Sequence, residues 1–202
     1  MTTSKENIDG LFSIAKKYST ILRMNLYRPT EGVNSFSRQF IIDRERLLET
    51  ITYISQKYSV LSIGDAYLSP ILTGNARPDP SGNVSIRILS DGTITPSTYL
   101  ISENYSVANI LQDNVLQRLE DEDALRKIIT IHIPVTCQKC IYRTQCQGGV
   151  YDRRYLWFGT LDKKDPYCTG PYQELISPTI ELTNKEFTSV HDKYLPTIFF
   201  RP

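Results

Sequence analysis

The sequence predicts an α/β protein. Three observations carry that reading. Helix and strand patterns alternate over residues 1–75, an Asp-Gly hairpin stands near residue 91, and every cysteine of the chain falls in one loop between Cys137 and Cys168. Alternating helices and strands bury their apolar faces against one another in layers. A chain of 202 residues with 40% hydrophobic composition is long enough to build one or two real cores.

The elements follow in order. Ile8, Leu11, Phe12, Ala15 and Tyr18 recur at helical spacing and predict a helix over 8–19. The run Ile21–Arg28 reads as a largely buried strand, ended by Pro29. A loop with Gly32, Asn34 and Ser35 leads to the clearest helix, 43–58. Asp43 is its N-cap, and Leu47, Leu48, Ile51, Ile54 and Tyr58 share one face. Ser59–Ile63 is a short strand. Gly74–Gly82, rich in Gly, Pro, Asn and Asp, marks a domain boundary. It divides 1–78 from 79–172, with a tail over 173–202.

Past that boundary Val84–Ile88 alternates, Asp91-Gly92 supplies a tight turn, and Thr93–Thr95 returns, which together predict a hairpin. Residues 112–129 read as two short helices. Asp121, Glu122 and Asp123 suit the start of the second, and Arg126 and Lys127 its end. Residues 134–170 show little regular structure and few periodic apolar positions. A bound metal, rather than a core, is expected to hold them. The tail carries short apolar runs and three prolines.

Charge and composition narrow the function. The 23 basic and 22 acidic residues give a net charge of +1, so nothing calls for a nucleic-acid or anionic-membrane partner. Met1–Asn7 has no apolar core of a secretory signal, and no apolar run approaches the ~20 residues of a membrane-spanning helix. The expectation is a cytoplasmic protein. In a reducing compartment disulfides are disfavoured, and clustered cysteines point to metal or redox chemistry.

The cysteine pattern is Cys137-x2-Cys140-x5-Cys146-x21-Cys168. The x2 spacing turns two thiolates toward one centre within a single loop. Gly148 and Gly149 after Cys146 suit a backbone that passes close to a bulky inorganic core. Asp165-Pro166-Tyr167 delivers Cys168 through a stiff turn. Four thiolates satisfy either a tetrahedral zinc or a 4Fe–4S cluster, and spacing does not separate the two. Arg143, Arg153 and Arg154 read as surface arginines first and as charges tuning the centre second. Tyr142, Tyr151, Tyr155, Trp157, Phe158 and Tyr167 read as packing. His132 reads as a strand residue, and His191 is uninformative. Asp91 is a turn residue, and Arg23 and Asn25 lie on the strand over 21–28.

Residues 85–172 resemble the SPASM region at the C-terminus of radical S-adenosylmethionine enzymes. The resemblance rests on Asp91-Gly92-Thr93-Ile94-Thr95-Pro96, on Ala108-Asn109-Ile110, on Cys137-x2-Cys140-x5-Cys146-Gln147-Gly148-Gly149, and on Asp165-Pro166-Tyr167-Cys168. Residues 20–75 are more weakly similar to the last strand–helix units of the partial barrel in that family. The family has further cysteines where this chain has Ser97 and Val150, and one more between the hairpin and the helix. Those positions help hold a first auxiliary cluster, whereas Cys137, Cys140, Cys146 and Cys168 match the set for the second.

The resemblance therefore implies a partial barrel of strand–helix units followed by a small SPASM-like domain that carries one 4Fe–4S cluster. The Cys-x3-Cys-x2-Cys motif that chelates S-adenosylmethionine is missing, so that cofactor is expected only if a partner supplies the other half. A separate N-terminal radical S-adenosylmethionine subunit, or self-association through the edges of the strand over 21–28, is the expected partner. A peptide is the substrate class the family implies. The rival reading is a non-catalytic interaction module with a structural four-cysteine zinc.

Overall fold

The computed structural model describes residues 4–82, 85–121, 133–183, 187 and 196–202. The expected α/β class holds in its coarse form: helices pack with two small antiparallel sheets. Helix α1, Lys5–Lys17, is capped by Ser4, whose hydroxyl accepts the Asn7 N–H, and it buries Ile8, Phe12 and Ala15. It stops one residue short of Tyr18, whose ring is exposed. Helix α3, Arg44–Lys57, starts at the Asp43 cap, where the carboxylate accepts the Arg46 N–H at 2.7 Å. Phe12 and the Tyr58 ring stack with centroids 3.6 Å apart, locking α1 to the end of α3. Two short helices lie outside the elements read from the sequence: α2, Ser35–Arg38, and α4, Leu68–Thr73.

The first sheet departs from consecutive strand–helix units. Strand β1 is only Leu22–Met24, and β2 is Ser59–Ile63. They do not pair with each other. The C-terminal strand β6, Ile198–Arg201, lies between them and runs antiparallel to both, with Phe199 opposite Arg23 and Phe200 opposite Val60. The sequence neighbours of the strand over 21–28 offer it no cover, and it is the C-terminal tail, through β6, that covers one edge. Both described sheets have three strands, and neither closes into a barrel.

The reason is visible in the burial. Ile198, Phe199 and Phe200 are all buried, whereas Leu22 and Met24 of β1 are only partly so. Three adjacent large apolar side chains point to both faces of a strand, so a central position with both faces covered favours them, and each contributes roughly 1.5–3 kcal/mol on full burial. The preceding tail also returns over the first unit. Thr179 and Ile180 donate backbone N–H groups to the Leu72 carbonyl, and Thr183 donates to that of Val60.

The second sheet is β3, Arg87–Ile88, β4, Thr93–Thr95, and β5, Ala108–Asn109, in that order. The hairpin turn forms as expected: Asp91 accepts the Thr93 N–H at 2.9 Å, and Gly92 takes φ +84°. A Cβ on Gly92 would come within 2.8 Å of Asn109 Oδ1, so the approach of β5 also requires glycine there. Helix α5 is Val115–Glu120. The second helical piece expected before residue 129, together with His132 and His191, lies outside the described residues.

Among the described residues two apolar clusters form the core. The larger one joins α1, α3, β2 and α4 to Tyr142 and Tyr167 of the cysteine segment and to Ile180, Ile198 and Phe200 of the tail. The smaller consists of Leu100, Tyr105, Tyr151 and Leu161. The cysteine segment therefore does have a core, assembled from aromatic side chains of irregular spacing. It also contains a two-turn helix, Tyr151–Phe158, which the sequence did not show.

Candidate metal centre

Three turns present the four cysteines. In the first, Cys137 N–H donates to the Pro134 carbonyl at 2.8 Å and Cys140 N–H to the Cys137 carbonyl at 3.1 Å, which carries both thiols on one tight bend. Cys146 ends a single helical turn, Arg143–Cys146. Gln147, Gly148 and Gly149 then all take positive φ and reverse the chain. Cys168 closes the third turn, its N–H donating to the Asp165 carbonyl at 2.9 Å. The four side chains line one narrow recess, with Tyr67, Arg143, Lys164 and Tyr172 around it. All four are free thiols.

The sulfurs are supplied with hydrogen-bond donors. The backbone N–H groups of Gly148 and Gly170, each two residues on, favour the thiolates of Cys146 and Cys168. Cys140 accepts the N–H of Tyr172 at 3.4 Å, and the Thr136 hydroxyl favours the Cys137 thiolate. Donors aimed at sulfur stabilise thiolate and tune a bound metal. Burial acts the other way, pushing the Cys146 thiol up to about 12 and the Cys168 thiol up to about 11. At neutral pH these groups are thiols until a metal displaces their protons. The donor set thus fits a metal centre. Among the described residues no group of three or more His, Cys, Asp and Glu side chains is placed to hold a metal ion, so the fit rests on the type and number of the donors and on their shared recess. A single zinc holds its thiolates at about 2.3 Å.

The arginines and glycines play parts that the sequence did not indicate. Arg153 and Arg154 are buried, not on the surface. Arg153 bridges two buried carboxylates, with Nη1 2.7 Å from Asp65 Oδ2 and Nη2 2.5 Å from Asp165 Oδ2. Asp65 also accepts the N–H groups of Tyr67 and Leu68 at the start of α4, and Asp165 those of Val150 and Tyr167. This triad fastens the cysteine turns to the N-terminal unit. Arg154 donates to the carbonyls of Gln147, Leu161 and Lys163, tying the chain after Cys146 to the chain before Cys168. Only Arg143 is exposed as expected. Gly148 and Gly149 make room for Pro134 and for the Asp165 side chain, a Cβ on Gly148 falling 2.6 Å from Pro134 Cδ, and Gly148 also lines the recess. Tyr142, Tyr151 and Tyr167 pack as expected, while Phe158 is exposed.

Arg23 and Asn25 are exposed and do not line the recess. The residues missed from sequence are Asp65, Tyr67, Lys164 and Tyr172. No local pattern marks them, because each reaches the centre through the fold.

Ser97 and Val150 are buried close to a second polar site. The Ser97 hydroxyl bonds Asp152 Oδ1, and Asp152 Oδ2 lies 3.4 Å from Arg28. Asp79 accepts the N–H groups of Ser81 and Tyr151 nearby. Burial, opposed by Arg28, pushes the Asp152 carboxyl up to about 6 from an ordinary 3.8. A carboxyl raised on folding favours the folded state fully below its unfolded pKa, and that contribution is lost as pH rises through the folded value. We expect Asp152→Asn to gain stability relative to the parent between pH 4 and 6.5, by about 2–3 kcal/mol at the upper end. Urea unfolding of both chains across that range checks it, and a pH-independent difference counts against the assignment.

No family model, no curated protein and no solved structure matches the chain. Among the described residues no helix is long and apolar enough to cross a membrane.

Proposed function

We propose that the chain is an iron–sulfur protein whose Cys137, Cys140, Cys146 and Cys168 hold one 4Fe–4S cluster. We further propose that it corresponds to the C-terminal part of a radical S-adenosylmethionine/SPASM enzyme, acting in the cytoplasm as a fragment or subunit in peptide or protein modification. The observation that carries the reading is the convergence of four thiols, from three separate turns, on one recess with hydrogen-bond donors at the sulfurs. When bound, such a cluster supplies one-electron transfer. The residues here hold the thiolates, aim N–H groups at them, and wall one side with Tyr67 and Tyr172.

All four cysteines are used by this one centre, so no iron is left open to chelate S-adenosylmethionine. The chain alone is not expected to cleave that cofactor; a partner subunit would have to bring the catalytic cluster. The outer edge of β1, unpaired among the described residues, is consistent with association.

The test is anaerobic loading of the full chain with ferrous iron and sulfide. We expect a brown protein with a broad visible band and four irons and four sulfides per chain. A colourless chain that retains one zinc and takes up no iron overturns the reading in favour of a structural zinc module. Formation of 5′-deoxyadenosine by the loaded, reduced chain on its own overturns the subunit assignment.

A further inference from the structure

The support of the centre extends beyond its own turns. Tyr172 pairs by its backbone with the Cys140 bend: its N–H donates to Cys140 Sγ at 3.4 Å, and its carbonyl accepts the Ile141 N–H at 2.9 Å. Its hydroxyl is 3.1 Å from that of Tyr67 and 3.0 Å from Thr169 Oγ1. Tyr67 stands at the start of α4 with its ring fully buried, and its hydroxyl accepts Arg44 Nε–H at 3.4 Å. Arg44 is the first residue of α3. A continuous chain of bonds therefore runs from α3, through the two phenols, to one thiolate of the centre. Both phenols line the recess.

We infer that Tyr67 and Tyr172 are positioning residues that raise the reduction potential of the centre at Cys140. The inference rests on the iron–sulfur reading above. A reduced centre carries more negative charge on its sulfurs, so an N–H held against Cys140 Sγ favours the reduced state. How closely that N–H is held depends on where Tyr172 sits. The Tyr67 hydroxyl fixes Tyr172 at its far end, and Arg44 fixes Tyr67. A buried hydroxyl that loses its partner is costly, which makes the pair stiff rather than adaptable.

The experiment uses the full chain loaded with iron and sulfide, titrated with dithionite at poised potentials while the visible band is followed. Tyr172→Phe and Tyr67→Phe are expected to move the midpoint to more negative potential with iron and sulfide content unchanged. Arg44→Met is expected to give a smaller shift in the same direction, and it replaces Tyr67→Phe if that variant does not fold. Tyr53→Phe, whose hydroxyl bonds Asp9 and Lys57 away from the recess, is expected to leave the midpoint in place. Loaded variants with the parent midpoint, or variants that lose iron while the remaining centre keeps that midpoint, overturn the inference alone. A parent chain that takes up no iron and sulfide overturns the cluster reading, and the inference falls with it.

Discussion

Arg153→Met is expected to destabilise the folded chain by about 3–5 kcal/mol, a large share of the roughly 5–15 kcal/mol that holds a typical domain together. The guanidinium is buried and satisfies both Asp65 and Asp165, which are buried themselves. Methionine fills much of the volume but leaves two carboxylates in a medium that solvates charge poorly. The loss is asymmetric. Changing both carboxylates to Asn in the same background should restore a substantial part of the stability, because no uncompensated buried charge then remains. Urea unfolding of the three chains measures it. An Arg153→Met chain within 1 kcal/mol of the parent would show the triad to be energetically idle. Amide exchange should also rise at Val150 and Tyr167, whose N–H groups are bonded to Asp165.

Cys140→Ser is expected to abolish stoichiometric iron and sulfide uptake and the stability that loading adds, while leaving residues 134–170 folded. Structural zinc supplies about 10–16 kcal/mol of apparent binding free energy in small metal domains, and a four-thiolate cluster should act in the same direction. The metal-free chain nonetheless has other anchors. Tyr142 and Tyr167 belong to the larger core, Tyr151 and Leu161 to the smaller, and the Arg153 triad joins the segment to α4. The sequence suggested that no core could hold this stretch, because its apolar residues lack a period. The structure shows that aromatic residues in turns can be buried without one. Limited proteolysis of the metal-free variant decides between the two views, since rapid cleavage inside 134–170 would mean that metal alone orders it. Arg153→Met should loosen the same segment without removing a single metal ligand.

What was legible in the sequence is local in its physics. The Asp43 cap, the face of α3 and the Asp91-Gly92 hairpin each depend on residues within a few positions of one another. The cysteine spacing is of the same kind: Cys137 and Cys140 share one bend, and Asp165 shapes the turn that delivers Cys168. Such signals survive without knowledge of the rest of the chain, so four thiols converging on one recess could be expected in advance.

The tertiary structure decided what depends on distant partners. Strand β6 enters between β1 and β2 because three large apolar side chains at the end of the chain find their burial beside strands more than 130 residues earlier. That insertion replaces the consecutive strand–helix arrangement the alternation of elements suggested. Arg153 and Arg154 carry no mark in the sequence that separates them from surface arginines. They are buried because carboxylates at Asp65 and Asp165, and carbonyls at Gln147 and Lys163, surround them once the chain has folded. Spacing selects the ligands of the centre, whereas long-range packing decides which charges and phenols stand beside them.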